Sequence, residues 1–148
     1  MTSKVPEEDT LGHVMRSPVT TISSNDTLRA AAETMVEQDI GAVVVVEGKS
    51  AVGIITERDI MKLVIKGNDV LNESVKQFMS KPLVTATSTV PVQQAFELML
   101  RHKVRRLPIV DGNQLEGIVT EKDIMRWVLR VSYEPNIPQH IKAILEAR

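Results

Sequence analysis

The sequence has no cysteine and few aromatic residues, with one Trp, one Tyr and two Phe among 148 residues. Without cysteine, the protein has no disulfides, no thiol nucleophile and no cysteine-ligated metal site. So few aromatic side chains argue against a base-stacking platform for single-stranded nucleic acid. A net charge of −1 also gives no overall attraction to nucleic acid or to anionic membranes.

Long apolar runs are missing too, and none approaches the roughly 20 residues of a membrane helix. The first ten residues, MTSKVPEEDT, are polar and acidic, unlike a secretory signal. With the lack of cysteine, these features predict a cytoplasmic protein. The common enzyme motifs are absent, and His13, His102 and His140 lack the spacing of metal ligands. We therefore expect no catalytic activity, no catalytic cofactor and no metal.

The most informative feature that is present is an internal repeat. Residues 15–65 and 79–129 align without a gap and are identical at 17 of 51 positions. The phrase GIITERDI, starting at Gly53, returns as GIVTEKDI, starting at Gly117. One copy alone is close to the lower size limit of a stable domain, so we expect the two copies to fold together.

Both copies predict the same order of elements, βαββα. A short strand (VTTI or LVTA) precedes a helix with apolar residues at helical spacing, and a hairpin with an acidic residue and Gly at its turn leads into a second helix. The second helices are expected to begin at Glu57 and Glu121. The apolar stripes of the first helices are Leu28, Ala31, Ala32, Met35 and Val36, and Val92, Ala95, Phe96, Met99 and Leu100. The N-cap of the first helix is expected among Ser24, Asn25 and Asp26 in copy one, and at Ser88 or Thr89 in copy two. Gly67 is expected to end the helix that begins at Glu57.

The same pattern sets the expected boundaries. We predict an N-terminal tail over residues 1–12, a first repeat over 13–67, a linker over 68–78, a second repeat over 79–131 and a C-terminal extension over 132–148. The linker is expected to contain a short helix near Glu73–Met79. In the extension, the two prolines of YEPNIPQ predict an extended segment, and HIKAILEAR predicts a terminal helix.

With these features the sequence resembles a tandem pair of CBS domains, also called a Bateman module, over about residues 10–131. The resemblance rests on the Met-x-x-Pro segments at Met15–Pro18 and Met79–Pro82, on the hairpins, and on both Gly-h-h-Thr-x-x-Asp signatures, where h is apolar. It implies a mixed α/β (α+β) fold of two βαββα repeats packed with pseudo-twofold symmetry, in a stand-alone pair.

The resemblance also implies a function. Many such pairs are regulatory modules that bind AMP, ADP or ATP between the two repeats, and some bind S-adenosylmethionine or NAD instead. Ligand binding is then signalled to a partner protein. They often pair through their helices, so a homodimer is implied. Ribose and phosphate contacts carry over to Thr56, Asp59, Thr120 and Asp123. Adenine contacts carry over to Thr20, Thr21, Ile22 and Val43, or to Val84, Thr85, Ala86 and Leu107.

From the residues alone, the Thr-x-x-Asp pattern has two interpretations. It has the geometry of a helix capping box, although the usual acidic member is Glu or Gln. It also stands where a helix start offers free N–H groups to a phosphate, and where a carboxylate can accept ribose hydroxyls. Because Asp is shorter than Glu, we expect it to reach back poorly and to be freer to face a ligand.

The copies differ in charge at one place. Copy two reads RHKVRR from Arg101 to Arg106, where copy one reads EQDIGA. These cations either complement a helix C-terminus or, as the resemblance implies for Arg105 and Arg106, contact phosphate. We hypothesise that Asp59 with Arg105 or Arg106 forms the stronger phosphate site. The Asp123 site, facing the uncharged Gly41 and Ala42, is expected to bind more weakly or to prefer a less charged ligand. For the function as a whole, the alternatives to an adenosine-binding regulatory module are a nucleic-acid-binding CBS protein and a protein-interaction module without a ligand.

Overall fold

The structure is a computed structural model that describes residues 9–133, together with Gln139 and Ala143. The predictions for YEPNIPQ and HIKAILEAR therefore lie almost entirely outside the described residues. Among the described helices, none has the length and apolar character needed to cross a membrane.

The chain forms five α-helices, five strands and two short 3₁₀-helices within the described part, and the alternation of helices and strands confirms the predicted mixed α/β class. The 3₁₀-helices, Asn68–Asn72 and Val75–Gln77, lie in the linker where a short helix was expected. The other elements are α1 (Leu11–Val14), β1 (Thr21–Ser23), α2 (Leu28–Gln38), β2 (Ala42–Glu47), β3 (Ser50–Thr56), α3 (Glu57–Lys66), α4 (Val92–His102), β4 (Arg106–Asp111), β5 (Gln114–Thr120) and α5 (Glu121–Tyr133).

Contacts divide the chain into two compact units that do not coincide with the sequence repeats. The copy-one unit comprises Pro18–Val84 and Gly112–Leu115, and the copy-two unit comprises Met1–Ser17, Thr85–Asp111 and Glu116–Arg148. The segment that precedes repeat one therefore folds with copy two, and the linker after repeat one folds with copy one.

In the copy-one unit, β1, β2 and β3 form one sheet. β1 runs parallel to β2, with Thr21 opposite Val44, and β2 runs antiparallel to β3, with Val43 opposite Ile55. The hairpin turns at Gly48, whose φ of 59° places it in the left-handed region that glycine tolerates. Burial of Val43, Val44 and Val45 explains the continuous apolar run of this central strand.

In copy two, β4 and β5 form a two-stranded sheet, and the expected first strand is reduced to one bridge between Ala86 and Ile109. The cause lies in β4. In copy one the Val44 N–H donates to the Thr20 carbonyl at 3.2 Å, but Pro108 holds the same position in copy two and has no N–H. The Ser88 N–H donates to the Asp111 side chain at 2.8 Å, whereas its counterpart Ser24 donates to the Val46 carbonyl.

The predicted helix stripes are correct at their centres and wrong at their margins. Leu28, Ala31, Met35, Val92, Ala95 and Met99 are buried, but Val36, Phe96 and Leu100 are exposed because they lie at the edge of the apolar face. The expected N-caps are also wrong: α2 begins after Thr27, whose hydroxyl accepts from the Ala30 N–H, and α4 begins after Pro91. Gly67 ends α3 as expected.

Two matching segments, which we name straps, close the cores of the two units. The N-terminal strap, Asp9–Arg16, packs in the copy-two unit, where Leu11 is fully buried and its N–H donates to the Val90 carbonyl. The linker strap, Glu73–Ser80, packs in the copy-one unit, where Val75 is fully buried and its N–H donates to the Asp26 carbonyl. Leu11, which lies within the predicted N-terminal tail, is therefore a core residue of the copy-two unit.

Candidate functional site

Each signature glycine receives a methionine from a strap. A Cβ at Gly117 would lie 2.6 Å from Met15 Sδ, and a Cβ at Gly53 would lie 2.5 Å from Met79 Sδ. Only glycine leaves room for this side chain. The Met-x-x-Pro and Gly-h-h-Thr motifs are therefore two halves of one packing contact, which fixes the strap beside the signature.

The first junction is the turn from β3 into α3, from Thr56 to Asp59. The Thr56 N–H donates to Asp59 Oδ2 at 3.0 Å, and the Asp59 N–H donates to Thr56 Oγ1 at 3.1 Å. This reciprocal pair is a capping box, so the expectation that Asp is too short to reach back is wrong. Asp59 is half-buried, and its Oδ1 has no hydrogen-bond partner within the described chain.

The second junction is the turn from β5 into α5, from Thr120 to Asp123. It has the same capping geometry, with the Thr120 N–H donating to Asp123 Oδ2 at 2.9 Å and the Asp123 N–H donating to Thr120 Oγ1 at 3.3 Å. The Thr120 hydroxyl also donates to Oδ2 at 3.0 Å. Both oxygens of this carboxylate are engaged, because Oδ1 faces two arginines.

Those arginines are Arg16 and Arg126. Arg16 Nε donates to Asp123 Oδ1 at 2.9 Å, and an Arg126 terminal nitrogen lies 3.5 Å from the same oxygen. The Asp123 side chain is only 5% exposed, while that of Arg16 is 55% exposed. Sequence reasoning missed Arg16. The signal was available in the repeat, since Arg16 aligns with Ser80 inside two otherwise matching Met-x-x-Pro segments.

The helix starts offer fewer N–H groups to an anion than the sequence suggested. At the first junction the Glu57 N–H donates to the Gly41 carbonyl and the Asp59 N–H to Thr56. At the second junction the Glu121 N–H donates to the Arg105 carbonyl and the Asp123 N–H to Thr120. Two of the first three N–H groups of each helix are thus already satisfied, which weakens the case for a phosphate bound by backbone alone.

The charged residues of RHKVRR separate into two groups. Arg101 and His102 lie in the last turn of α4, and Lys103 ends that helix in a left-handed conformation, so the cations Arg101 and Lys103 complement the helix dipole. Arg105 is exposed, and its Nε lies 3.9 Å from a Glu121 carboxylate oxygen. Arg106 opens β4 and is half-buried.

The predicted adenine contacts lie in two places. In the copy-one unit, Thr21 is exposed on β1 and the Thr20 hydroxyl donates to Gln38, while Ile22 and Val43 are buried, so these two can offer only backbone. Val84 is half-buried in the same unit. In the copy-two unit, Thr85 is exposed and Ala86 and Leu107 are buried. Across residues 9–133, no group of three or more His, Asp or Glu side chains could hold a metal ion.

Comparison with known proteins matches this chain to one protein family, both by a family model and by individual relatives. The family model for the CBS domain matches residues 11–66 and 75–130. The CBS domain-containing protein YhcV of Bacillus subtilis is 39% identical over 111 residues, which cover 74% of this chain and 79% of that protein. An uncharacterized protein of Methanopyrus kandleri is 41% identical over 119 residues, which cover 78% of this chain but only 61% of that longer protein.

A solved structure is similar in fold as well. The CBS domain pair of protein MJ0100, in complex with 5′-methylthioadenosine and S-adenosyl-L-methionine, matches with a TM-score of 0.73 and 27% identity. The match covers 80% of this chain and 94% of that one.

Proposed function

The chain belongs to the CBS-domain family, and we propose that it is a regulatory module that binds an adenosine ligand and signals the binding to a partner protein. The observation that carries the proposal is the carboxylate of Asp59. Its Oδ2 is held by the Thr56 N–H at 3.0 Å, while Oδ1 is left without a partner in the described chain. A carboxylate fixed in this way at a helix start is suited to accept ribose hydroxyls.

The class of ligand is supported by the similar pair from protein MJ0100, which was solved with two adenosine compounds. For this chain we favour AMP, ADP or ATP, with S-adenosylmethionine and NAD as further candidates. The adenine would lie against the backbone of Thr20, Thr21 and Ile22 and of Val43.

The preference for a phosphate-bearing ligand depends on Arg105 and Arg106. The only ion pair that Arg105 makes among the described residues is the 3.9 Å contact with Glu121, in which both side chains are more than half exposed. A pair of this kind contributes little to stability, so exchanging it for a phosphate costs little. The guanidinium group of arginine also matches phosphate oxygens through two parallel hydrogen bonds.

A thermal-shift panel tests the proposal. Purified protein is heated with AMP, ADP, ATP, S-adenosylmethionine and NAD, and with GMP as the control for base recognition. A ligand at 100 times its Kd stabilises the fold by about 2.7 kcal/mol, which raises Tm by several degrees in a protein of this size. No shift with any adenosine compound would contradict the proposal and would favour a module without a ligand.

We further propose a homodimer formed through exposed apolar residues of the helices. Met61 and Ile65 on α3 are 65% and 84% exposed, and Met125 and Val128 on α5 are exposed as well. Exposed apolar residues gathered on helices often mark an interface. Light scattering after size exclusion should give twice the chain mass for the wild type and the Lys62→Glu control, and the monomer mass for Ile65→Glu. A monomeric wild type would contradict the dimer.

A further inference from the structure

The two straps carry different residues at the backbone position that pairs with the signature strand. In the copy-two unit, the Arg16 N–H donates to the Ile118 carbonyl at 3.0 Å. In the copy-one unit, the Ser80 N–H donates to the Ile54 carbonyl at 3.0 Å. Since Arg16 aligns with Ser80 and Ile118 aligns with Ile54, the two residues hold equivalent positions in their straps and differ in side chain.

We infer that Arg16 closes the second junction to ligand, so that the chain has one adenosine site, that of Asp59; this inference rests on the proposed function. A ribose at Asp123 would have to displace the Arg16 guanidinium from Oδ1, to which it donates at 2.9 Å. The guanidinium adds an ionic attraction to its hydrogen bond with the carboxylate, which a neutral ribose hydroxyl cannot supply. The Asp123 side chain is only 5% exposed, and the neutral hydroxyls of a ribose would balance its buried negative charge less well than the Arg16 guanidinium does.

The N-terminal strap holds Arg16 in place at several points. The Arg16 N–H and carbonyl both pair with Ile118, at 3.0 Å each. Met15 fills the space above Gly117, and Leu11 is fully buried. At the start of the strap, the Trp127 indole N–H donates to Asp9 Oδ2 at 2.6 Å, one helical turn beyond Asp123. These contacts fix the backbone from which Arg16 extends, and the half-exposed side chain is held at Asp123 by its own hydrogen bond to Oδ1.

The first junction lacks this closure. Ser80 is exposed and carries no charge, and the described residues form no ion pair with the Asp59 carboxylate. Lys62, which aligns with Arg126, is exposed at the surface of α3. One junction thus retains a carboxylate oxygen for a ligand, and the other has used it internally.

Exchanging the two strap residues tests the inference. Isothermal titration calorimetry with AMP, and separately with S-adenosylmethionine, is carried out on the wild type, Arg16→Ser, Ser80→Arg and the double exchange. We expect one ligand per chain in the wild type and about two in Arg16→Ser. Ser80→Arg should weaken binding at least tenfold, and the double exchange should restore one site. Arg16→Lys, which keeps the charge, is the conservative control and should remain at one.

The outcomes separate this inference from the function it rests on. Two ligands per wild-type chain, or an unchanged single site in folded Arg16→Ser, would overturn closure while leaving ligand binding intact. Tighter binding of inorganic phosphate to the wild type than to Arg16→Ser would also overturn it, because Arg16 would then be an anion ligand. If neither probe binds any variant, the proposed function fails together with the inference. If Arg16→Ser does not fold by circular dichroism, Arg16→Gln replaces it, and Ser80→Arg must still lose binding.

Discussion

At Asp123 the N-terminal strap supplies the guanidinium of Arg16, whereas the equivalent position of the linker strap is Ser80, which brings no charge. Both straps use the same backbone bonds and the same methionine-on-glycine contact, and both aspartates complete a capping box. The shared features are those that start a helix and fix a strap. The difference with a consequence for ligand binding lies at the second carboxylate oxygen, which Arg16 engages at Asp123 and which has no partner in the described chain at Asp59.

The largest expected effect concerns the straps themselves, at the equivalent residues Leu11 and Val75. Both are fully buried, so truncation leaves a cavity. We expect Leu11→Ala to lower the free energy of unfolding by about 2–5 kcal/mol and Val75→Ala by about 2 kcal/mol, because leucine loses one more carbon. Urea denaturation monitored by circular dichroism measures both. A loss below about 0.5 kcal/mol for Leu11→Ala would show that the N-terminal strap is not part of the core.

The two signature glycines, Gly53 and Gly117, also differ in the atoms that surround them. A Cβ at Gly117 would meet the Arg16 backbone carbonyl at 3.0 Å as well as the Met15 side chain, whereas the three atoms nearest to a Cβ at Gly53 all belong to the Met79 side chain. We expect Gly117→Ala to cost about 1–3 kcal/mol and Gly53→Ala less, because a side chain can rotate away. Adding Met79→Ala should relieve Gly53→Ala, while adding Met15→Ala should only partly relieve Gly117→Ala. Equal and complete rescue of both, measured by thermal melting, would contradict this account.

The smallest effect is a pH dependence at Asp111. The side chain and the backbone N–H of Ser88 hydrogen-bond this carboxylate and hold its pKa below the ordinary value. A lowered pKa in the fold means that Asp111 contributes stability above its unfolded pKa, about 3.9, and that this contribution is lost as pH falls through the folded pKa. Asp111→Asn should therefore be less stable than the wild type near pH 7, and the difference should shrink below about pH 4. Urea titrations that give a constant difference at all pH values would refute the assignment.

Much of this fold follows from local sequence pattern. Local pattern predicts the helical spacing from Leu28 to Met35, the hairpin glycine Gly48 and the end of α3 at Gly67, because each of these depends on neighbouring residues alone. The repeat follows from aligning the two copies. The reduced first strand of copy two could have been read from Pro108, which cannot donate to an adjoining strand.

The site was harder to predict because its asymmetry depends on long-range packing. Arg16 and Asp123 are 107 residues apart in sequence, and no local periodicity indicates that the N-terminal strap folds with copy two. A capping box was one of the two interpretations of the Thr-x-x-Asp pattern. The prediction that the Asp59 side chain reaches back poorly was wrong, since its Oδ2 accepts from the Thr56 N–H at 3.0 Å. The placement of Arg105 and Arg106 at a phosphate stays a prediction.

If the two signature aspartates are not equivalent, Asp59→Ala and Asp123→Ala must differ in ligand binding, and calorimetry measures the difference. AMP or S-adenosylmethionine, whichever binds the wild type, is titrated into each variant after circular dichroism has established that both are folded. We expect Asp59→Ala to lose at least tenfold in affinity, which is about 1.4 kcal/mol of binding free energy, and Asp123→Ala to bind as the wild type does. Equal losses in the two variants, or a loss confined to Asp123→Ala, would contradict this expectation.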